Sequence, residues 1–258
     1  MGTMDQQWEQ FQKWMGSQKG IESNESFDKE FTNHPLFHAA MNMNRSMTIV
    51  VNLHTMKCLF AAGDTEVLTG ANHDEAMAKG VKFIYERLHP DDLVIGPMYG
   101  QLMSQYFKSL PENHRPTYRS YWDWRFLLPN GKCNRVVAQD RIIKHDSEGN
   151  MILLLSLISD INALKNDGHN HLHMTNGVES TLYDYDQADK KLHPIECPSE
   201  REMDVLRHIS QGLTRQEIAE KLSISIATVK THCQNTFKKL RTNDSLETIN
   251  LLKVLGLL

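Results

Sequence analysis

The chain is predicted to be α+β, with a sheet domain followed by an all-α four-helix domain, on three observations. Two strand-like runs, Met47–Leu53 and Lys57–Ala62, come first. A helical stretch follows, and then three more strand runs separated by short glycine-bearing turns. From residue 196 the apolar period becomes that of short helices, each opened by a Ser, Thr or Asp. Strands, a helical insert and a three-strand meander are the order of an antiparallel sheet with its helices segregated.

Composition bounds the rest. A chain of 258 residues suggests about two domains, and 40% hydrophobic residues suffice for packed cores. The most apolar run, Met151–Ile158, is far shorter than the roughly 18 residues of a membrane span, and reads as a buried strand. No basic-then-apolar signal opens the sequence. Cys58, Cys133, Cys197 and Cys233 are widely spaced and form no CxxC, which suits a reducing cytosol. The expected divisions are an N-terminal helical extension (1–43), a sheet domain (44–164), a linker (165–195) and the helical domain (196–258). The expected location is cytoplasmic, with no membrane partner.

In order, residues 4–18 place Trp8, Phe11 and Trp14 at helical spacing, an amphipathic helix that must dock on something. His54-Thr55-Met56 joins the first two strands as a hairpin. Short helices are expected through Glu66–Leu68, Asp74–Lys79 and Val81–Leu88, and a longer one at Met98–Leu110, stopped by Pro111. Strands follow at Tyr118–Leu128, Arg135–Lys144 and Met151–Ile158. Pro129-Asn130-Gly131-Lys132 and Asp146–Asn150 turn the chain between them, each with a glycine for positive φ. Trp122, Trp124 and Phe126 alternate and so share one sheet face, a core face or a pocket wall.

Several of these pieces, in this order, resemble a PAS domain. Leu68-Thr69-Gly70, His89-Pro90-Asp91-Asp92, Arg125-Phe126 with Asn130-Gly131, Asp146 with Gly149, and the closing Ser159-Asp160-Ile161 carry the resemblance. Asn52 stands where many such first strands have Asp. The resemblance implies a sensor or dimerisation domain with room for an unidentified small-molecule ligand. No flavin-attachment cysteine motif is present. Haem would need an axial ligand from His38, His54 or His89, and His89 is already explained as a turn residue. No cofactor is assigned.

Asn162–Cys197 is polar, with breakers at Asp167-Gly168 and Asn176-Gly177. His169, His171 and His173 alternate and on a strand would point one way, a geometry open to a transition metal. The reading adopted is a solvated linker without metal, in which Asn176-Gly177 can turn a small hairpin into Val178–Tyr185.

The last domain is dense with helix-start signals. Ser199 with Glu202 and Thr214 with Glu217 form capping boxes, Asp244 with Glu247 resembles one, and Ser225 caps the helix between. Gly212 and Ser223–Ile224 are tight turns, so two helices pack as a helix-turn-helix. Glu200, Arg201, Glu202, Val205, Leu206, Gly212, Leu213, Glu217-Ile218-Ala219, Leu222, Ser225, Thr228-Val229-Lys230, His232, Asn235 and Lys239-Leu240 together resemble the LuxR-type (GerE-like) DNA-binding domain. Cys233 replaces the usual Val, and Ser245 and Thr248 replace common Arg and Ala.

By that resemblance Lys230, Thr231 and Gln234 face base edges. Thr228, His232, Asn235, Lys238 and Lys239 serve phosphate or structure. Net charge is −4 overall, but Lys221, Lys230, Lys238, Lys239 and Arg241 fall between Glu220 and Asp244 with no acidic residue among them. A local cationic stripe is what phosphate contact requires. Leu246, Ile249, Leu252 and Leu255, with Leu251, Val254, Leu257 and Leu258, give the last helix more apolar surface than one short helix needs. The resemblance implies a homodimer reading an inverted repeat in double-stranded DNA, in contact with the transcription machinery. The expected function is a one-component transcription regulator. The alternatives are a response regulator, which needs an alternating β/α receiver domain, and a sigma-like factor, which needs a helical domain where sheet is read. No phosphate loop or nucleophile–base pair points to an enzyme.

Overall fold

The computed structural model describes Glu9 and residues 45–258. The expected helix over 4–18, apart from Glu9, and the remainder of the 1–43 extension with His38 lie outside the described residues.

Residues 45–162 build an antiparallel sheet from β1 (Ser46–Asn52), β2 (Lys57–Gly63), β3 (Arg119–Leu127), β4 (Cys133–His145) and β5 (Met151–Asp160). Their order is β2-β1-β5-β4-β3, every neighbouring pair antiparallel. Asn52 does the work of the more common Asp at the first turn: its Oδ1 accepts from His54 N at 2.9 Å and Thr55 N at 3.0 Å. Between β2 and β3 lie α1 (Thr65–Thr69), α2 (His73–Lys79), α3 (Val81–Glu86), a 3₁₀ turn (Pro90–Asp92) and α4 (Ile95–Ser109). This is the PAS-like arrangement.

The motif residues have local jobs. Gly70 ends α1 at φ 73°, where a Cβ would stand 2.3 Å from Pro129 Cδ. His89 Nδ1 accepts from Asp91 N and so caps the 3₁₀ turn. Asp92 is fully buried and accepts from Arg125 N at 2.7 Å and from its guanidinium at 2.6 Å, tying the insert to β3. Met47, Leu68, Trp124, Phe126, Val136 and Ile158 fill the core.

Residues 163–173 and 180–258 form a second unit. The segment expected to be a linker is not one. It contains β6 (His169–Thr175), β7 (Ser180–Asp186) and β8 (Lys191–Ile195), with β7 and β8 paired from Leu182↔Ile195 to Asp186↔Lys191. Polarity masked β6 and β8 in the sequence, because Asn170, His171, His173 and Asp184 are buried beside Leu172, Met174 and Leu182.

Four helices follow: α5 (Glu200–Ser210), α6 (Arg215–Leu222), α7 (Ile226–Leu240) and α8 (Ser245–Val254). Both capping boxes are formed, and Ser225 and Asp244 accept from Thr228 N and Glu247 N. The apolar surplus of α8 has a destination in the same chain: Leu251, Leu252 and Leu255 pack with Leu206, Leu240, Leu182 of β7 and Ile195 of β8. On this helix Leu246 is the large apolar residue left exposed.

Candidate nucleic-acid interface

The turn between α6 and α7 is built by Ser223, which sits in the left-handed region at φ 51°, ψ 47°. Ile224 N returns to Ala219 O at 3.0 Å, and the Arg201 guanidinium donates to Leu222 O at 2.9 Å, so the freed carbonyls of α6 are met. Ser225 then starts α7. Val229 and Cys233 are buried against Val205, Ile218 and Ala219 and seat the helix on α5 and α6. Cys233 has the environment of a small hydrophobe, and burial raises its thiol pKa.

Seating α7 this way fixes the opposite face. Lys230, Thr231, Gln234, Asn235 and Lys238 are exposed, while Thr228, His232 and Lys239 are half-buried. Lys230, Thr231, Gln234 and Lys238 fall on one side at helical spacing. Thr231 Oγ1 donates to Ala227 O at 3.0 Å. Thr228 Oγ1 lies 2.8 Å from the Ser225 hydroxyl, inside the cap. His232 lends its carbonyl to Thr236 Oγ1 at 2.9 Å.

Lys239 has other partners than phosphate. Its ammonium donates to Glu202 Oε2 at 3.0 Å and lies 3.7 Å from Glu196, and the Glu202 hydrogen bond raises its pKa. Burial pushes the Glu202 carboxyl upward, but the Ser199 N–H at 2.7 Å and Lys239 outweigh it and hold the pKa below the usual range. Arg241 ends α7 at φ 55° and reaches Asp184 Oδ2 on β7 at 3.2 Å. Both pairings join residues far apart in sequence, so spacing gave no sign of them.

The three histidines do not form a solvated row. His171 and His173 are buried. His173 Nδ1 donates to Leu255 O at 2.7 Å, so its Nε2 accepts from Ser180 Oγ at 3.0 Å. His169 Nδ1 meets Asp184 Oδ1 at 2.9 Å. Burial pushes the His171 pKa down to about 3, which keeps that ring neutral. Among the described residues no group of three or more His, Cys, Asp and Glu is placed to hold a metal ion.

Residues 199–252 match the family described as bacterial regulatory proteins, luxR family. A nitrate/nitrite response regulator protein homolog of Haemophilus influenzae is 34% identical over 70 residues, 27% of this chain and 32% of its own length. The chain thus spans about a third of that relative. A Vibrio cholera VqmA–ligand–DNA complex is 14% identical, covering 85% of this chain and 86% of its own, with a TM-score of 0.32. The N-terminal domain of a Marinobacter aquaeolei diguanylate cyclase with PAS/PAC sensor is 18% identical, covering 46% and 96%, with a TM-score of 0.37. The chain carries a LuxR-type helix-turn-helix domain, C-terminal to a PAS-like domain.

Proposed function

We propose that this chain is a cytoplasmic, one-component transcription regulator that binds double-stranded DNA through α7 and takes its input through the PAS-like domain. It acts as a homodimer on an inverted repeat and does not work by catalysis. The observation that carries the reading is the outward face of α7: a base-sized run of Lys230, Thr231 and Gln234 flanked by Lys238, on a helix whose start is capped and whose other side is buried. Lys230 can donate to guanine O6 and N7, Gln234 can pair with adenine, and the Thr231 methyl can touch thymine. Thr228, His232, Asn235 and Lys238 approach the backbone or support the helix, and Lys239 supports it through Glu202. A response-regulator reading draws on the relatives' names alone. An antiparallel meander stands where a receiver domain would need alternating strands and helices.

The test is selection of DNA by the full chain from a random duplex library, followed by fluorescence anisotropy on the selected and scrambled sequences. Lys230→Ala is expected to cost about 1–3 kcal/mol on the selected site and little on the scrambled one. Lys238→Ala should weaken both alike. Failure to enrich any sequence, or equal losses for Lys230→Ala on both duplexes, overturns the base-reading assignment.

A further inference from the structure

The first turn of α7 is chemically unlike the starts of the helices around it. α5 opens with Glu200 and Glu202, α6 carries Glu217 and α8 carries Glu247, each carboxylate placed where the helix dipole favours it. The first turn of α7 holds no acidic residue and reads Ile226-Ala227-Thr228 after the Ser225 cap. Ile226 is 47% exposed, whereas Val229, Cys233 and Leu240 of the same helix are buried. Ile224, just before the cap, packs against the cluster of Val205, Ile218, Val229 and Cys233. No local preference explains an exposed isoleucine at this position. β-Branching restricts χ1 in a helix, and the first helical position suits Pro or an acidic side chain better. Such breaks of a local rule concentrate at functional sites.

Its position says what it meets. Helical side chains lean toward the N-terminus, so Ile226 projects past the start of α7. In a helix-turn-helix the N-terminal residues of the second helix meet base edges in the major groove. Lys230 stands one turn on, at i+4, roughly 6 Å along the helix and so about two base-pair steps away. The Ser225 and Thr228 hydroxyls face each other at 2.8 Å within the cap, and Ala227, exposed beside Ile226, carries a single methyl. The tip of the helix therefore offers base edges a hydrocarbon surface. Of the bases, thymine alone carries a methyl in the major groove.

We propose that Ile226 is a specificity-determining residue that reads a thymine methyl, within about two base pairs of the base met by Lys230. The proposal rests on the DNA-reading role of α7 and adds the class of base that the tip of the helix selects.

The test uses the full chain and the duplex it selects, with each thymine replaced in turn by uracil, which removes the methyl and keeps the pairing edge. Fluorescence anisotropy is read for the wild type, Ile226→Ala, Ile226→Val and Thr231→Ser. At one thymine the wild type should lose roughly fourfold in affinity, the contribution of one buried methyl-sized group. Ile226→Ala, which favours the helix, should bind the thymine and uracil duplexes nearly equally. Ile226→Val should keep the discrimination, and Thr231→Ser, which removes the other proposed methyl contact, should keep it at this thymine too. If the selected site holds no thymine, if uracil is tolerated at every one, or if the penalty persists undiminished in Ile226→Ala, the proposal is overturned while the roles of Lys230 and Gln234 stand. An equal loss by Ile226→Ala on selected and scrambled duplexes would put Ile226 against the sugar–phosphate backbone and would overturn it as well. Failure to enrich any duplex overturns the DNA reading itself, and this proposal with it.

Discussion

Asp140 contributes a distinct share of the pH dependence of stability in the PAS-like domain. Burial raises its pKa from 3.8 to about 6, only partly offset by hydrogen bonds from Ser156 and Trp122. Because the folded value is the higher one, the folded state holds this proton over a range where the unfolded chain has lost it. Unfolding free energy therefore falls as pH rises through that range. The contribution is fully present below about pH 4 and lost as pH climbs through about 6. Two units at about 1.36 kcal/mol each put the loss at about 3 kcal/mol. Asp140→Asn removes the titration while keeping an oxygen to accept from Trp122 Nε1. The stability of the variant minus that of the wild type should thus grow by about 3 kcal/mol between pH 4 and pH 7. Urea unfolding followed by tryptophan emission, in a chain carrying Trp8→Phe and Trp14→Phe, reads this domain through Trp122 and Trp124 on β3. A difference that stays constant across this range would refute the reasoning.

Two further substitutions probe the C-terminal unit. Ser223 is exposed and left-handed at φ 51°, so Ser223→Gly should stabilise the helix-turn-helix by about 0.5–1 kcal/mol, read as a higher midpoint of the helical circular-dichroism transition. Leu182 is 1% exposed and packs with Leu206 and Leu252, so Leu182→Ala should destabilise the same transition by about 2–5 kcal/mol. A change below about 0.5 kcal/mol, as for surface sites, would restore the linker reading of residues 165–195.

What the sequence disclosed follows the range of the interactions. The capping boxes at Ser199–Glu202 and Thr214–Glu217 close within three residues, so the helices they open could be read directly and stand where expected. The strands of the meander were legible because the turns at Gly131 and Gly149 are local and both need positive φ. The turn at Asn176-Gly177 and the strand after it were read from the sequence, and β7 stands there, but β6 and β8 were not, since His173 is satisfied by Leu255, 82 residues on, and His169 by Asp184. Asp140 was passed over for the same reason. A lone Asp in VVAQDRIIK reads as an outward residue until pairing with Ser120 and Ser156 sets its face. Trp122 and Trp124 were singled out as core or pocket wall, and they prove to be both.

The cationic stripe seen in the sequence is smaller in the fold than its count of five. Lys239 is held by Glu202 and Glu196, and Arg241 by Asp184, which is itself fully buried and also meets His169. These pairs anchor the last turn of α7 to the start of α5 and to β7, so neither cation is unpaired charge on the proposed reading face. Lys221, Lys230 and Lys238 have no carboxylate within 4.0 Å among the described ion pairs and remain for phosphate or bases. Each phosphate neutralised lowers the slope of log K against log salt by about 0.9. This segment should then contribute a slope of about −2.7 per protomer, against about −4.5 if all five cations engaged. Anisotropy between roughly 50 and 200 mM salt measures it. Lys238→Ala should flatten the slope by about 0.9, whereas Arg241→Ala should leave it unchanged and lower the melting midpoint of the C-terminal unit. Equal flattening by both variants would mean that Arg241 leaves Asp184 for the backbone, and that the end of α7 is remade on binding DNA.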